Sequence, residues 1–231
     1  LVDSVKDLFY TTIKSISAAL DARDAYTHGH SLRVTLYSLI MAEAMGIGEE
    51  GQELIETMGL LHDIGKIGIP DSILNKPGRL TEEEFEVIKT HPEQGKIILK
   101  DIKKLNSIAQ WLACHHERWD GRGYPYHFKG EQIPFSARIV AIADTYDAMT
   151  SDRSYRKGLP HEVALGEIQK CSGSQFDPSC VAVFVKVQNT ILAAKNDPDT
   201  YYEKYSRISK FFRSLRERSL QGTANSQQSG S

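Results

Sequence analysis

Apolar residues recur every three or four positions along most of the chain, and this period predicts amphipathic α-helices. We find no stretch with the convincing apolar–polar alternation of a half-buried strand. The pattern therefore predicts an all-α fold, a helical bundle. The predicted helices are Val5–Leu20, His30–Ala44, Glu53–Leu61, a helix from Thr81 to about His91, a helix from Leu105 that ends on His115-His116, Ser136–Met149, His161–Cys171, Pro178–Ala194 and Tyr201–Leu220.

Local signals mark the ends of one helix and a long loop. Thr81 followed three residues later by Glu84 has the pattern of a capping box, which starts a helix. Proline disfavours helical geometry in the residue before it, so Pro92 predicts that this helix ends near His91. The stretch ERWDGRGYPYHFKGEQIP is rich in glycine and aromatic residues, and loops of this length inside a compact domain are usually functional.

The same pattern divides the chain into a main domain and flanking segments. We expect an N-terminal helix over 1–22, a main domain over 23–196, a basic helix over 197–220 and a disordered tail over 221–231. The first helix begins abruptly at Leu1, which suggests an upstream sensory domain. The basic helix is interpreted as a solvated face, with docking to a partner or an acidic surface as the alternative. Its basic residues are Lys204, Arg207, Lys210, Arg213, Arg216 and Arg218.

Composition excludes several classes of protein. The 231 residues carry a net charge of -2, so the whole molecule offers no electrostatic basis for binding DNA or a membrane surface. No apolar run approaches the roughly 20 residues that a membrane span needs. The three cysteines Cys114, Cys171 and Cys180 lack CxxC spacing, which fits a reducing cytoplasm rather than a disulfide framework.

Histidines and aspartates gather at predicted helix ends. One histidine alone is more often a core or surface residue than a ligand, but several helix ends that meet would place these side chains around one pocket. The segment LLHDIGKIGIPDSIL, for example, ends an apolar helix directly on a histidine and an aspartate. The candidate ligands are His30, His62, Asp63, His91, His115, His116 and Asp144.

This set of donors predicts a centre with more than one metal ion. It contains no thiolate and is too large for a single tetrahedral zinc. Mixed imidazole and carboxylate ligands suit iron, manganese, nickel or zinc. Two ions need a bridging carboxylate, and Asp63 is the natural choice. Two such ions would clamp the attacking and leaving oxygens of a phosphate ester and convert a bound water to hydroxide.

Basic residues near the expected centre point to a phosphate substrate. Lys66 follows Asp63 by three positions, and a cation there would neutralise charge that develops on the phosphate oxygens. Arg153, Arg156 and Lys157 follow Asp144 closely and are candidates for holding further phosphates, although each alone fits a charged surface turn.

These segments resemble the HD-GYP domain, the bacterial branch of the HD phosphohydrolase superfamily that degrades cyclic di-GMP. The resemblance runs from about Asp24 to Val185 and includes both naming signatures, His62-Asp63 and Gly123-Tyr124-Pro125. The matching segments are YTHGHSLRV, HDIGKIGIPDSILNKPGRLT, HPEQG, HHERWDGRGYP, ARIVAIADTYDAMTSDRSYRKG and SQFDP.

The resemblance implies a helical domain with a metal centre, commonly of iron or manganese. Members with a third metal carry a glutamate one turn before the histidine that matches His30; Tyr26 stands there, with Asp24 the nearest carboxylate, so we expect two metals. The remaining histidines, His28, His127 and His161, are expected not to be ligands. The implied assignments are His30, His62, Asp63 and Asp144 on one metal, Asp63, His91, His115 and His116 on the other, and Lys66 on the scissile phosphate.

The loop around Tyr124 has two interpretations. It shapes a turn through Gly121, Gly123 and Pro125, and in the family it is also a substrate-side surface that contacts diguanylate cyclase domains. The apolar first helix is the only basis for expecting a homodimer.

The expected function is a cytoplasmic, metal-dependent phosphodiesterase. It would hydrolyse cyclic di-GMP to pGpG, to GMP or to both, through a metal-activated hydroxide. Three alternatives stay open: a non-catalytic module that binds a cyclic dinucleotide or docks a cyclase, a hydrolase of cyclic GMP-AMP, and a broader nucleotide phosphohydrolase. The complete ligand set favours an enzyme, although a fold alone does not determine the substrate.

Overall fold

Helices account for the regular structure of the computed structural model, which describes residues 2–24, 29–152, 157–211 and 214. These residues contain no strand, so the predicted all-α class is confirmed. Within the same ranges, no helix combines the length and the apolar character that crossing a membrane requires. The helices are α1 Val2–Arg23, α2 His30–Ala44, α3 Glu49–Leu61, α4 Asp71–Leu74, α5 Glu82–Ile88, α6 His91–Leu99, α7 Asn106–Leu112, α8 Phe135–Thr150, α9 His161–Lys170, α10 Pro178–Asn196 and α11 Pro198–Tyr205, with short 3-10 helices at Ile64–Gly68 and Gly130–Gln132.

Helix α2 lies at the centre of the domain. Its residues from Val34 to Ala42 are all buried, and it packs against α3, α8, α10 and α11. A helix that is apolar on every side belongs in a core. This packing holds His30, the first residue of α2, at one end of the bundle. The C-terminal end of α3 and the turn before α6 lie at the same end.

Helix α8 matches its prediction. Ile139, Ile142, Ala143 and Tyr146 are fully buried on one face, as their spacing indicates. The same helix carries Asp144 between them, so packing of the apolar face determines the direction of this carboxylate.

Helix α1 forms where predicted, but only some of its apolar residues face the domain. Tyr10, Ile13 and Leu20 are buried against the domain, whereas Leu8 is 68% exposed and Val5 is 57% exposed. The apolar residues of α1 divide between two faces of the helix. Pattern alone could not distinguish them because either set has helical spacing.

The expectation that a helix stops near His91 is also corrected. Helix α5 begins at the Thr81–Glu84 capping box as predicted and ends at Ile88. His91 is the first residue of a new helix, α6, with Pro92 in its first turn. Proline has no amide hydrogen to donate, so it is tolerated at the start of a helix, and the sequence analysis considered only its breaking effect.

One face of the described C-terminal segment is anchored to the core, while Lys204 on the segment is exposed. Helix α11 ends at Tyr205, a helical turn continues to Phe211, and Ile208 is fully buried. The buried carboxylate of Glu56 on α3 accepts hydrogen bonds from Tyr202 Oη at 2.9 Å, from the Arg207 and Ile208 amides at 2.7 and 3.1 Å, and from Ser206 Oγ. Arg213, Arg216 and Arg218 of the predicted basic helix lie outside the described residues.

We expect Glu56→Ala to destabilise the fold by about 3 kcal/mol, because it leaves four donors, three of them buried, without their acceptor. Denaturant unfolding of the variant and the native chain measures the difference in the free energy of unfolding. Glu53→Ala is the matched control, since Glu53 lies on the same helix and makes only a partly exposed ion pair with Lys6 at 3.7 Å. Equal effects of the two substitutions would contradict an anchoring role for Glu56.

Candidate metal centre

Three histidines are oriented by the helix ends that they follow. The Nδ1 atoms of His62, His91 and His115 lie 2.7, 2.7 and 2.6 Å from the carbonyl oxygens of Gly59, Ile88 and Leu112, each three residues earlier. The last carbonyls of a helix have no partner within it, so these imidazoles satisfy them. Because a carbonyl only accepts, Nδ1 carries the proton and the lone pair of Nε2 points into the space between the helices.

His30 is oriented by a carboxylate instead. Its Nδ1 lies 2.8 Å from Asp147 Oδ2, and Arg33 Nε donates to the other oxygen of Asp147 at 2.7 Å. Its Nε2 lies 3.2 Å from Asp144 Oδ1. Asp144 and Asp147 are three residues apart and therefore share one face of α8.

The side chains form two groups of three possible ligands, with Asp63 between them. In each group the donor atoms lie within 4.8 Å of one another. Asp63 Oδ1 lies 3.4 Å from His91 Nε2, and Asp63 Oδ2 lies 3.5 Å from His62 Nε2. One carboxylate thus directs one oxygen toward each group. The groups are His30, His62 and Asp144, and His91, His115 and His116.

The donor atoms fit metal ions. His62 Nε2 is buried and has no hydrogen-bond partner in the described part of the chain. His91 Nε2 and His115 Nε2 face each other at 3.3 Å although both nitrogens present lone pairs, which is unfavourable unless a cation lies nearby. Unsatisfied buried acceptors of this kind need an explanation, and a divalent ion supplies one.

The electrostatic environment keeps the second group neutral. Burial lowers the pKa of His116 to about 3 and holds the pKa of His115 well below its usual range, helped by the neighbouring imidazoles. Burial alone would raise the pKa of Asp63, but the charge of Lys66 lowers it well below its usual range. Neutral imidazoles and an ionised carboxylate are the forms that bind metals.

His30 differs from the other histidines in its proton affinity. Burial would lower the pKa of His30, but hydrogen bonds to Asp144 and Asp147 raise it to about 10. A metal ion bound by this imidazole would therefore displace a proton.

Lys66 lies at the edge of the same space. Its ammonium is 2.6 Å from Asp63 Oδ2 and 3.2 Å from Asp24 Oδ2. Lys66 belongs to the 3-10 helix Ile64–Gly68, which we call the Lys66 turn.

A Cβ on Gly65 would lie 1.8 Å from the His91 carbonyl oxygen, so glycine is required for the turn to approach α6 this closely.

Tyr124 covers the centre from the loop side. Its ring stacks on His116 with centroids 4.9 Å apart. A Cβ on Gly123 would come within 2.6 Å of main-chain atoms at Glu117 and His116, so the loop lies directly against this segment.

Two adjoining pockets of about 290 and 400 Å³ share the residues Phe85, His116, Tyr124 and Asp144.

The other predicted residues lie elsewhere. The side chain of Lys157 is 90% exposed, pairs with Asp152 at 2.8 Å and does not line either pocket. Its phosphate-binding role stays a prediction, and Arg153, Arg156, Tyr26 and His28 lie outside the described residues. His161 Nδ1 bonds Tyr146 Oη at 2.8 Å, away from the ligand groups.

Asp147 and Arg33 were missed by the sequence analysis. The available signal was the spacing of Asp147, three residues after Asp144 on an otherwise apolar helix. Asp147 is 1% exposed, and a buried carboxylate of this kind needs partners, which Arg33 and His30 provide.

We expect Asp147→Asn to lower metal affinity or turnover by about 10- to 100-fold, because an amide cannot hold the His30 ring and pair with Arg33 as the carboxylate does. Titration of metal into the chelator-treated chain and steady-state kinetics measure the two effects. The matched control is Asp152→Asn, a substitution of an exposed aspartate that pairs with Lys157. A native affinity and rate in Asp147→Asn would show that His30 is oriented without this carboxylate.

A helical domain with candidate histidine and aspartate ligands at converging helix ends defines a class of helical metal-binding proteins. The family model described as "HD domain" matches residues 14–180, and the chain belongs to this family, whose members are metal-dependent. The resemblance predicted from the sequence is thereby confirmed.

Curated relatives specify the kind of HD-domain protein that the chain is similar to. A "Cyclic di-GMP phosphodiesterase" of Thermotoga maritima is 43% identical over 188 residues, covering 80% of this chain and 51% of the relative. A "3'3'-cGAMP-specific phosphodiesterase 2" of Vibrio cholerae is 36% identical over 197 residues, covering 84% of this chain and 37% of the relative. The chain thus spans about half or less of the length of these relatives.

Solved structures agree on the fold. An HDG"Y"P protein from Bdellovibrio bacteriovorus superposes with a TM-score of 0.59 at 20% identity, covering 83% of this chain and 61% of that chain. At this identity the likeness is one of fold alone.

Proposed function

We propose that this chain is a cyclic dinucleotide phosphodiesterase that hydrolyses cyclic di-GMP with two divalent metal ions. The observation that supports this most directly is the position of Asp63, with one oxygen toward each of two groups of ligands. Relatives named as cyclic di-GMP phosphodiesterases at 36–43% identity support the same substrate.

The proposed ligands divide between the two ions. One ion would be held by His30, His62, Asp63 and Asp144. The other would be held by His91, His115 and His116, with Asp63 as the shared ligand. Iron or manganese is the first choice, and nickel or zinc also suits these donors. Bound ions of this kind supply Lewis acidity and a nucleophilic hydroxide.

The residues of the chain bind and orient the substrate. Hydrolysis adds water across one phosphodiester and breaks the bond from phosphorus to the ribose 3′ oxygen. Lys66 places its ammonium beside Asp63, where it neutralises charge on the phosphate oxygens as this bond breaks. The linear dinucleotide pGpG is the first product, and a second cleavage gives GMP.

The shape of the cleft suits a substrate with two nucleotide halves. The smaller pocket contains Asp63 and Lys66, and the larger one contains the basic residues Lys89, Arg118 and Arg122. Tyr124 lines both pockets, so a substrate that spans them passes the exposed side of its ring while one phosphate reaches the ligands. The roles of Tyr124 in substrate binding and of Gly123-Tyr124-Pro125 in docking a diguanylate cyclase domain are part of this proposal.

Cyclic GMP-AMP is the second candidate substrate. It is favoured by the relatives named as 3'3'-cGAMP-specific phosphodiesterases at 33–36% identity. A non-catalytic binding module is less well supported, because all seven proposed ligands and Lys66 are present. An upstream sensory domain and a homodimer stay predictions.

The test is anaerobic incubation of the chain, loaded in turn with iron, manganese and nickel, with each cyclic dinucleotide. We expect pGpG or GMP to form and about two metal ions to be bound per chain. Faster turnover of cyclic GMP-AMP would reassign the substrate. Bound metal without hydrolysis of either compound at any loading would reject the enzyme and favour the binding module.

A further inference from the structure

Arg23, at the C-terminal end of α1, donates hydrogen bonds to the turn that carries Lys66. Arg23 Nη1 donates to the Lys66 carbonyl oxygen at 2.7 Å, and Arg23 Nη2 donates to the Ile69 carbonyl oxygen at 2.6 Å. One planar guanidinium therefore spans the Lys66 turn from its middle to the residue that follows it. Hydrogen bonds from a charged donor are roughly twice as strong as neutral ones.

The Lys66 turn depends on such support. It is a 3-10 helix of five residues, a geometry with weak hydrogen bonds that rarely persists on its own. Within the turn, the Lys66 amide donates to the Asp63 carbonyl at 2.8 Å, and the Ile69 amide donates to the Lys66 carbonyl at 3.0 Å. Arg23 adds a contact from an element distant in sequence, which fixes the turn relative to the bundle.

The residue after Arg23 contacts the other end of the same lysine. Asp24 is 4% exposed, and its Oδ2 lies 3.2 Å from Lys66 Nζ. The main chain and the ammonium of Lys66 are thus both contacted by the last turn of α1 and the residue that follows it. A position error of about 1 Å in a catalytic group can cost roughly 100-fold in rate.

We propose that Arg23 is a positioning residue for catalysis: by clamping the carbonyls of Lys66 and Ile69 it aims the Lys66 ammonium at the scissile phosphate. This inference rests on the proposed function for the role of Lys66. It makes the end of α1 part of the machinery that orients the phosphate-binding cation.

A double-mutant cycle tests whether Arg23 acts through Lys66. We expect Arg23→Ala to lower kcat by about 30-fold and Lys66→Met to lower it by about 100-fold, each with little change in KM or in bound metal. If Arg23 acts only by placing Lys66, adding Arg23→Ala to Lys66→Met lowers kcat no further. Independent losses that multiply in the double variant would overturn the proposal.

Two further variants separate the clamp from general stability. Arg23 also pairs with Asp71 Oδ1 at 2.8 Å, and the Asp71 side chain is 71% exposed. Asp71→Asn weakens that pair and leaves both carbonyl contacts, so we expect native kcat. Arg23→Lys keeps the charge but cannot reach both carbonyls, so we expect an intermediate kcat. An Asp71→Asn defect as large as that of Arg23→Ala would overturn the clamp.

Amide hydrogen exchange provides a readout that needs no turnover. We expect Arg23→Ala, but not Asp71→Asn, to accelerate exchange across 64–69 by about tenfold or more while α2 and α8 keep their protection. If the chain cleaves no cyclic dinucleotide but this acceleration is found, the proposed function fails. The stabilisation of the Lys66 turn by Arg23 is then still supported. Unchanged exchange across 64–69 in Arg23→Ala would refute the clamp whatever the activity.

Discussion

Asp63→Asn is expected to lower turnover of cyclic di-GMP by about 1000-fold or more and to reduce bound metal from about two ions per chain to one or fewer. The substitution keeps the shape of the side chain but replaces one oxygen by an amide nitrogen that cannot bind a metal ion. Asp63 faces His91 with one oxygen and His62 with the other, so either orientation of the amide leaves one group without its shared ligand. The same change removes the charge that pairs with Lys66 at 2.6 Å.

Metal content by mass spectrometry and product formation are measured on the same preparation. Asp152→Asn serves as the control because it removes an equal charge from an exposed side chain outside both pockets. Two bound ions and rapid turnover in Asp63→Asn would show that another group bridges the two sets of ligands.

Gly65→Ala is expected to destabilise the fold by roughly 3 kcal/mol and to abolish most of the activity. The added methyl would lie 1.8 Å from the His91 carbonyl oxygen and 2.5 Å from the Gly95 amide nitrogen. Both are main-chain atoms of α6, so relief requires the Lys66 turn to move away from that helix. This movement would separate Asp63 from His91, and denaturant unfolding together with kinetics would detect both effects.

Gly166→Ala is the matched control for this substitution. Gly166 lies inside α9, and a Cβ there meets nothing within 4 Å. Alanine is favoured over glycine in helices, so this variant should gain about 0.5–1 kcal/mol in stability with native activity. If Gly65→Ala were equally well tolerated, the close approach of the turn to α6 would be unnecessary.

Much of the fold and the candidate ligands could be predicted because local pattern carries them. The apolar spacing of α3 ends on His62-Asp63, and the apolar face of α8 leaves Asp144 pointing away from the core. In both cases a short stretch of sequence indicates where the helix lies and which polar residue interrupts its apolar pattern.

Contacts between distant segments could not be predicted in the same way. Arg23 meets the Lys66 turn across more than forty residues, and Arg33 meets Asp147 across 114. Either arginine alone has the pattern of an exposed helical residue. Their roles depend on how α1 and α2 pack. Helical spacing does not determine this packing, as the buried Tyr10 and the exposed Leu8 of α1 illustrate.

The histidines that follow helix ends have a consequence for how the protein acquires its ions. Because the carbonyls of Gly59, Ile88 and Leu112 orient these three rings, we expect folding itself to set the direction of their Nε2 atoms. We then expect the supply of each divalent ion to select the occupant. We therefore expect one polypeptide to accept different ions in turn without a change of fold.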